Sequence, residues 1–315
     1  MRRFIDLHTH STASDGQLAP AQLVRLAETK RLAALALTDH DTIAGVAAAR
    51  AAAADFPNLL FIAGVELSAQ WPGGTMHLLG LGIDETSQPL AQSLQRLRAS
   101  RDERNPKIIR ALQELGMDIT MEDIRRSMGV PPMSSTAVPA VPGDTPGLPR
   151  ADLAPSSPAP NAPGSHVLGR MHIAQAMCRK HCVKTITEAF DRYLAVGRPA
   201  YVDKERFTPA QVLQVIVQAG GVPVLAHPPQ LNYGNAARIE QIIKDLKPHG
   251  LAAIEAYHSH NSPQQTRLYL DLARKHKLFV SGGSDFHGPA KPGILLGRPP
   301  VSLVACEELI ARLAK

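Results

Sequence analysis

Residues 6–16, Asp6-Leu7-His8-Thr9-His10-Ser11-Thr12-Ala13-Ser14-Asp15-Gly16, constrain this chain more than any other stretch. Phe4-Ile5-Asp6-Leu7 is a short apolar run of the kind that forms a buried strand. It ends in His-x-His, and Asp15 follows five residues after His10. Alternate residues of a strand point to the same side. His8 and His10 therefore turn two imidazoles toward one point, as a metal ion requires. An isolated His-x-His is as readily two unrelated polar residues at a strand exit. Similar groups at other strand ends along the chain argue against that.

Pro20 to Arg31 has the period of an amphipathic helix, opened by a proline at a favoured early position. Ala33 to Leu37 is a second apolar run, closing in Thr38-Asp39-His40-Asp41, and Thr42 is placed to cap an Ala-rich helix reaching Ala54. A third run, Leu59 to Val65, ends in Glu66; a fourth, Met76 to Leu81, carries His77 near its start. Continuous apolar strands alternating with helices predict a parallel sheet covered by helices.

The middle breaks that rhythm. Gln88 to Leu115 is helical in period and rich in arginine, and Glu122 to Met128 reads as a short helix. Residues 130–165 hold ten of the 26 prolines and predict a mobile loop, since they bury too little apolar surface to offset their ordering. Helices resume from Arg170 through His181 and from Thr185 to Leu194. The expected organisation is a barrel in two parts, 1–100 and 197–315, with a helical insertion at 101–196. After it come runs ending at His227, at His258 with His260, and at Asp285-Phe286-His287, separated by helices near 208–219, 235–246 and 262–276, with 304–314 last. Pro223 inside the first of these runs counts against a strand there. The total is seven strands.

Six of the seven runs end at or just beyond His, Asp or Glu, and the fourth starts near His77. In a parallel α/β barrel the loops after the strands converge on one face. His8, His10, Asp15, His40, Glu66, His77, His227, Asp285 and His287 then meet at one rim. Such imidazoles and carboxylates suit two or three divalent cations of the Zn, Mn or Fe kind. Without cations, burying them together would carry a severe desolvation cost.

Other features narrow the class. A net charge of +6 with scattered basic residues gives weak support for a phosphorylated substrate. Three cysteines, Cys178, Cys182 and Cys306, form no paired framework and fit a reducing compartment. Cys178 and Cys182 could share a helix face as a zinc pair, but two packed thiols is the simpler reading. No apolar run approaches the roughly 20 residues of a membrane helix, and Met1-Arg2-Arg3-Phe4 enters a strand with no leader pattern. The expected location is cytoplasmic.

The His-x-His at His8 and His10, Thr-Asp-His ending at His40, Glu66, His-Pro at His227 and Asp-x-His at Asp285 and His287 resemble the PHP family, the polymerase-and-histidinol-phosphatase metal phosphoesterases. The resemblance spans residues 4–100 and 197–300 in the family's motif order. It implies a distorted (β/α)7 barrel with up to three metals, manganese foremost and zinc or iron as alternates. By position, His8, His10, Glu66 and Asp285 would hold the first, and Glu66, His77 and His227 the second. Asp15, His40 and His287 would hold the third. His258 is a rival for the role of His227. The nucleophile implied is a metal-bridging hydroxide rather than a side chain.

Asp-Leu-His-Thr-His-Ser-x-x-Ser-Asp-Gly, Gly169-Arg170-x-His172-Ile173-Ala174, Phe190 to Leu194 and Gly197-Arg198-Pro199-Ala200-Tyr201-Val202 resemble the subgroup that dephosphorylates nucleoside 3′,5′-bisphosphates. Relatives of that kind also shorten RNA oligonucleotides from the 5′ end. The resemblance makes Arg170 and Arg198 phosphate grips, a planar fork matching phosphate bidentately. His258 and His260 become hydrogen-bond donors to phosphate or to the leaving oxygen. The runner-up within the family is a histidinol phosphate phosphatase. Outside it stand a metal-dependent amidohydrolase and a non-catalytic module that binds nucleic acid.

Overall fold

The computed structural model describes residues 3–314 except 73, 127–167, 290 and 292. The loop expected at 130–165 lies outside the described residues. Strands β1 (Phe4–Asp6), β2 (Ala34–Leu37), β3 (Leu60–Trp71), β4 (Gly74–Leu81), β5 (Val222–Leu225), β6 (Ala253–His258), β7 (Phe279–Gly283) and β8 (Val301–Ser302) form one sheet. Their order is β7-β6-β5-β4-β3-β2-β1-β8. The first seven are the runs the sequence predicts. The eighth is two residues long, too short for a periodic signal, and pairs antiparallel with the start of β1.

Above that pairing the sheet bends round until β7 meets β1. Leu7 N–H donates to Gly282 O at 3.1 Å, and Asp285 N–H to His8 O at 2.9 Å. The result is a nearly closed, distorted barrel flanked by helices. The close approach needs glycine at 283, where a Cβ would lie 2.5 Å from both the backbone nitrogen and the Cβ of His8. Gly283→Ala is expected to destabilise the protein by about 2–3 kcal/mol through overpacking. A lowered denaturant midpoint checks this; an unchanged midpoint would mean that β1 yields freely.

Besides the short β8, the sheet departs from the all-parallel expectation at β4. β4 runs antiparallel to both β3 and β5. Only two residues separate β3 from β4, too few for the crossover that a parallel pair requires. β5 accommodates Pro223 despite an inner position. Proline lacks a donor, but its carbonyl still accepts from Ala252 N–H at 3.1 Å.

One sheet face, through Val65, Leu67, Leu78, Leu225 and Ile254, buries against α7 (Pro209–Gln218), α8 (Ala236–Leu246) and α9 (Pro263–His276). Ile5, Leu7, Ala34, Ala36, Leu79, Leu81, Val222 and Val224 alternate with such positions and meet α10 (Glu307–Leu313). α1 (Pro20–Thr29) and α2 (Val46–Ala53) cover Leu35 and Leu37. Thr42 does not cap α2, which starts after Gly45 with no side-chain cap; the Thr42 hydroxyl instead accepts from Ala44 N–H at 3.1 Å.

The long helix α3 (Gln88–Glu114) serves two cores. Leu90 and Leu97 join the barrel cluster. Ile108, Ile109 and Leu112 pack with Ile124 of α4 (Met121–Arg126) and with Ile173 and Met177 of α5 (Arg170–Arg179). Cys178 and Cys182 are free thiols packed against this second core. Among the described residues no helix is long and apolar enough to cross a membrane.

Candidate metal centre

Where β1 leaves the sheet, His8 and His10 are both fully buried, with ring centroids 5.2 Å apart. The turn that follows is pinned by the buried Asp39. Its carboxylate accepts from Ser11 N–H (2.8 Å), Ser11 Oγ (2.7 Å) and Ser14 Oγ (2.6 Å). Gly16 closes the turn where a Cβ would come within 2.5 Å of His10 O. The fold-back brings Asp15 to 3.3 Å from His287 Nε2 and 4.0 Å from both His10 Nδ1 and His40 Nε2.

Glu66 is the hub. β3 outlasts β2, so Glu66 lies within a strand rather than at its end, bridged to His40. Its Oε2 is 3.3 Å from His8 Nε2, 3.2 Å from His10 Nε2 and 3.0 Å from His40 Nδ1. Its Oε1 is 2.8 Å from His77 Nδ1 and 3.0 Å from His227 Nε2. His77 reaches the rim from the start of β4 because that strand runs the other way. Asp285 adds Oδ1 at 3.5 Å from His8 Nε2 and 3.2 Å from His10 Nε2. Its backbone and that of His227 are left-handed, with φ 59° and 24°, a strained conformation for such residues and one that concentrates at functional sites.

Electrostatically the imidazoles of the cluster hold its carboxylates ionised. Burial pushes Glu66 upward, but the imidazoles of His40, His77 and His8 outweigh it and hold it well below the usual range. Asp15 is likewise held low against burial by His287 and His40, and Asp285 by His287, Lys291 and His8. Burial lowers His10, yet the facing carboxylates of Asp285 and Glu66 raise it to about 9. His8 Nε2, both ring nitrogens of His10, Asp15 Oδ1, His40 Nδ1 and Glu66 Oε2 are buried without a hydrogen-bond partner. Buried polar atoms are normally paired. Cations placed among them would give these atoms partners.

The ligand atoms group as a metal site requires. Those of His8, His10, Glu66 and Asp285 lie within 4.8 Å of one another, as do those of His10, Asp15, His40 and His287, and of His40, Glu66 and His77. His77 Nδ1 is also 3.2 Å from His227 Nε2. Nitrogen and carboxylate donors of this kind fit divalent Mn, Fe or Zn. His258 groups instead with His8 and Glu255, and its Nε2 lies 3.9 Å from Asp285 Oδ2. The exposed His260 donates its backbone N–H to His258 Nδ1 at 3.2 Å.

A cleft opens beside this cluster. Asp15, His40 and His77 line it together with Arg101, Arg104, Arg170, Lys204 and Arg206. Arg170 is half-buried, its guanidinium 5.2 Å from the Tyr201 ring centre, donating to Leu194 O at 2.9 Å. Arg198 is not part of this lining: it is exposed, on the turn after Leu194. The other four cations were not among the sequence candidates. Asp41 is paired with Arg101 and with Lys204, the latter at 3.0 Å. Burial and Arg101 push Lys204 down to about 7 against the pull of Asp41. Burial and the charges of Arg101, Arg170 and Arg206 push Arg104 down to about 9.

The PHP domain family matches residues 6–128. A 3′,5′-nucleoside bisphosphate phosphatase of Chromobacterium violaceum is 32% identical over 99% of this chain and 98% of its own. The 5′-3′ exoribonuclease Rnm of Escherichia coli is 33% identical over 93% of this chain and 88% of its own. Among solved structures, an amidohydrolase from Chromobacterium violaceum with bound sulfate and no metal superposes with a TM-score of 0.76. It is 30% identical and covers 98% of this chain and 96% of that one.

Proposed function

The chain belongs to the PHP family, and from that premise we propose that it is a metal-dependent phosphomonoesterase. Its substrate would be a nucleoside 3′,5′-bisphosphate, which loses the 3′-phosphate to leave the nucleoside 5′-monophosphate. The carrying observation is that five cationic side chains line one cleft together with Asp15, His40 and His77 of the His/Asp/Glu cluster. A cluster suited to acting on one phosphate and cationic side chains suited to holding another fit a doubly phosphorylated nucleotide. A short RNA with a 5′-phosphate fits the same cleft, and the exoribonuclease relative supports that extension.

Two to three divalent cations are the expected complement, with manganese foremost. His8, His10, Glu66 and Asp285 would hold one, Glu66, His77 and His227 a second, and Asp15, His40 and His287 a third. When bound, they supply Lewis acidity toward phosphoryl oxygens and a water acidic enough to attack phosphorus at neutral pH. The chain's own residues do the rest. Ionised Glu66, Asp15 and Asp285 set the charge of the site. Lys204, Arg101, Arg104, Arg170 and Arg206 crowd positive charge beside few anions, and a phosphate dianion relieves that crowding. His258 accepts at Nδ1, so its neutral ring carries the proton on Nε2, where it can donate to a leaving oxygen. Burial holds His258 at about 4, so the ring is neutral at pH 7.

The test compares adenosine 3′,5′-bisphosphate, histidinol phosphate and a small aryl phosphate. Losing one charged contact costs roughly 2–4 kcal/mol. Arg170→Ala should lower kcat/KM for the bisphosphate by about 30- to 1,000-fold, each 1.36 kcal/mol being tenfold. The aryl phosphate, with no second phosphate, should lose far less. Equal losses would mean that Arg170 serves the reacting phosphate or the fold. Histidinol phosphate as the best substrate would overturn the nucleotide reading while leaving the metal centre in place.

A further inference from the structure

Glu255 stands as a single acidic residue within the apolar run Leu251–Tyr257. It lies in β6 and is fully buried. Charged side chains at such positions are almost always paired. Both oxygens of Glu255 are engaged. Oε1 lies 2.9 Å from His8 Nδ1, and Oε2 accepts from the backbone N–H of His227 at 2.6 Å. The residues it touches lie just beyond β1 and β5, and each turns Nε2 onto Glu66.

We propose that Glu255 is a positioning residue that fixes His8 and His227 together as ligands of two neighbouring cations. The inference rests on the metal-centre reading above. A carboxylate only accepts, so the proton of His8 is held on Nδ1. That leaves the Nε2 lone pair directed at the space between Glu66 Oε2 (3.3 Å) and Asp285 Oδ1 (3.5 Å). Three acceptors facing one another repel unless a cation lies between them. The other oxygen anchors the backbone of His227 at its strained φ of 24°, and so aims Nε2 at Glu66 Oε1, 3.0 Å away. One rigid carboxylate on a central strand thereby registers two ligands that arrive from different strands. Second partners of metal-bound histidines commonly act in this way.

Glu255→Gln keeps the shape but replaces one acceptor with an NH2 group. That group must face either His8 Nδ1–H or His227 N–H, donor against donor. Metal-free wild type and variant are titrated with Mn²⁺, and bound metal is measured by equilibrium dialysis and elemental analysis. Affinity for at least one cation should fall by roughly 10- to 100-fold, and the rise in Tm on adding Mn²⁺ should shrink. A purely structural role would lower Tm equally with and without the metal and leave affinity unchanged, which would overturn the proposal. A wild type that binds Mn²⁺ beside a variant that binds it equally well rejects this inference alone. A wild type that binds none rejects the metal centre and this inference with it. Should the variant not fold, the crystal structure of Zn²⁺-loaded wild type decides: His8 should coordinate through Nε2, and coordination through Nδ1 would overturn the proposal.

Discussion

Glu66→Gln should abolish most catalysis, lowering kcat/KM by about 10²–10⁴-fold, while the protein still folds. The residue faces five imidazoles with its two oxygens, His8, His10 and His40 on one and His77 and His227 on the other. It is thus shared between proposed ligand sets. At 1.36 kcal/mol per decade the expected loss of kcat/KM corresponds to about 3–5 kcal/mol of transition-state stabilisation. Glutamine has the same shape, and its amide can donate to an imidazole nitrogen that the carboxylate could not satisfy. The metal-free variant loses the pairing of the ionised carboxylate with the imidazoles and should unfold somewhat earlier than metal-free wild type, while its metal content drops. A variant keeping a tenth of the activity with a full metal complement would remove Glu66 from the centre of the site.

Most of this arrangement was legible because barrel strands end in their functional residues. His8, His10, His40, His227 and Asp285 each follow an apolar run, and the structure gathers them at one rim. His77 broke the pattern by starting its run, and the short gap between Trp71 and Gly74 held the reason. Two residues permit a hairpin and forbid a crossover, so β4 had to run backwards and present its first turn at the rim. Glu66 was found for an incomplete reason, since β3 continues five residues past it to Trp71.

What the sequence concealed has two physical sources. Glu255 hides inside an apolar run, where one acidic letter looks like noise in a strand pattern; its burial is the signal, and burial is a tertiary fact. Arg101, Arg104, Lys204 and Arg206 look like solvated charges on an arginine-rich helix and a loop. Only the tertiary packing that brings α3 and the 201–208 loop together places them in the cleft. Arg198 shows the reverse error: its motif lies next to the cleft in sequence, but its turn faces solvent. The insertion boundaries proposed at 101 and 196 follow the change in residue pattern, whereas α3 runs without a break from the barrel core into the second core.

Stripping the cations with a chelator should abolish activity, and Mn²⁺ should restore it. The pH dependence of stability then tests whether the cluster is built for cations. In the metal-free protein His10 is raised from 6.5 to about 9 by the nearby carboxylates of Asp285 and Glu66, against the effect of burial. A group raised on folding stabilises fully below its unfolded pKa and loses that contribution as pH climbs through the folded value. Metal-free protein should therefore lose Tm between about pH 6.5 and 9. The depressed carboxylates Asp15, Glu66 and Asp285 act in the opposite sense, and their contribution is lost only in acid, outside this window. Bound cations displace the proton from His10 and take over its charge, so the loaded protein should show no such decline. Ligand stabilisation grows as RT ln(1 + [L]/Kd), and Kd itself tightens as protons cease to compete for imidazole nitrogen. The gap in Tm between loaded and stripped protein should thus widen from pH 6.5 to 9 at constant Mn²⁺. A gap that stays flat across that range would mean the protons on these histidines and the metals occupy different places, and the cluster would lose its claim to be the metal centre.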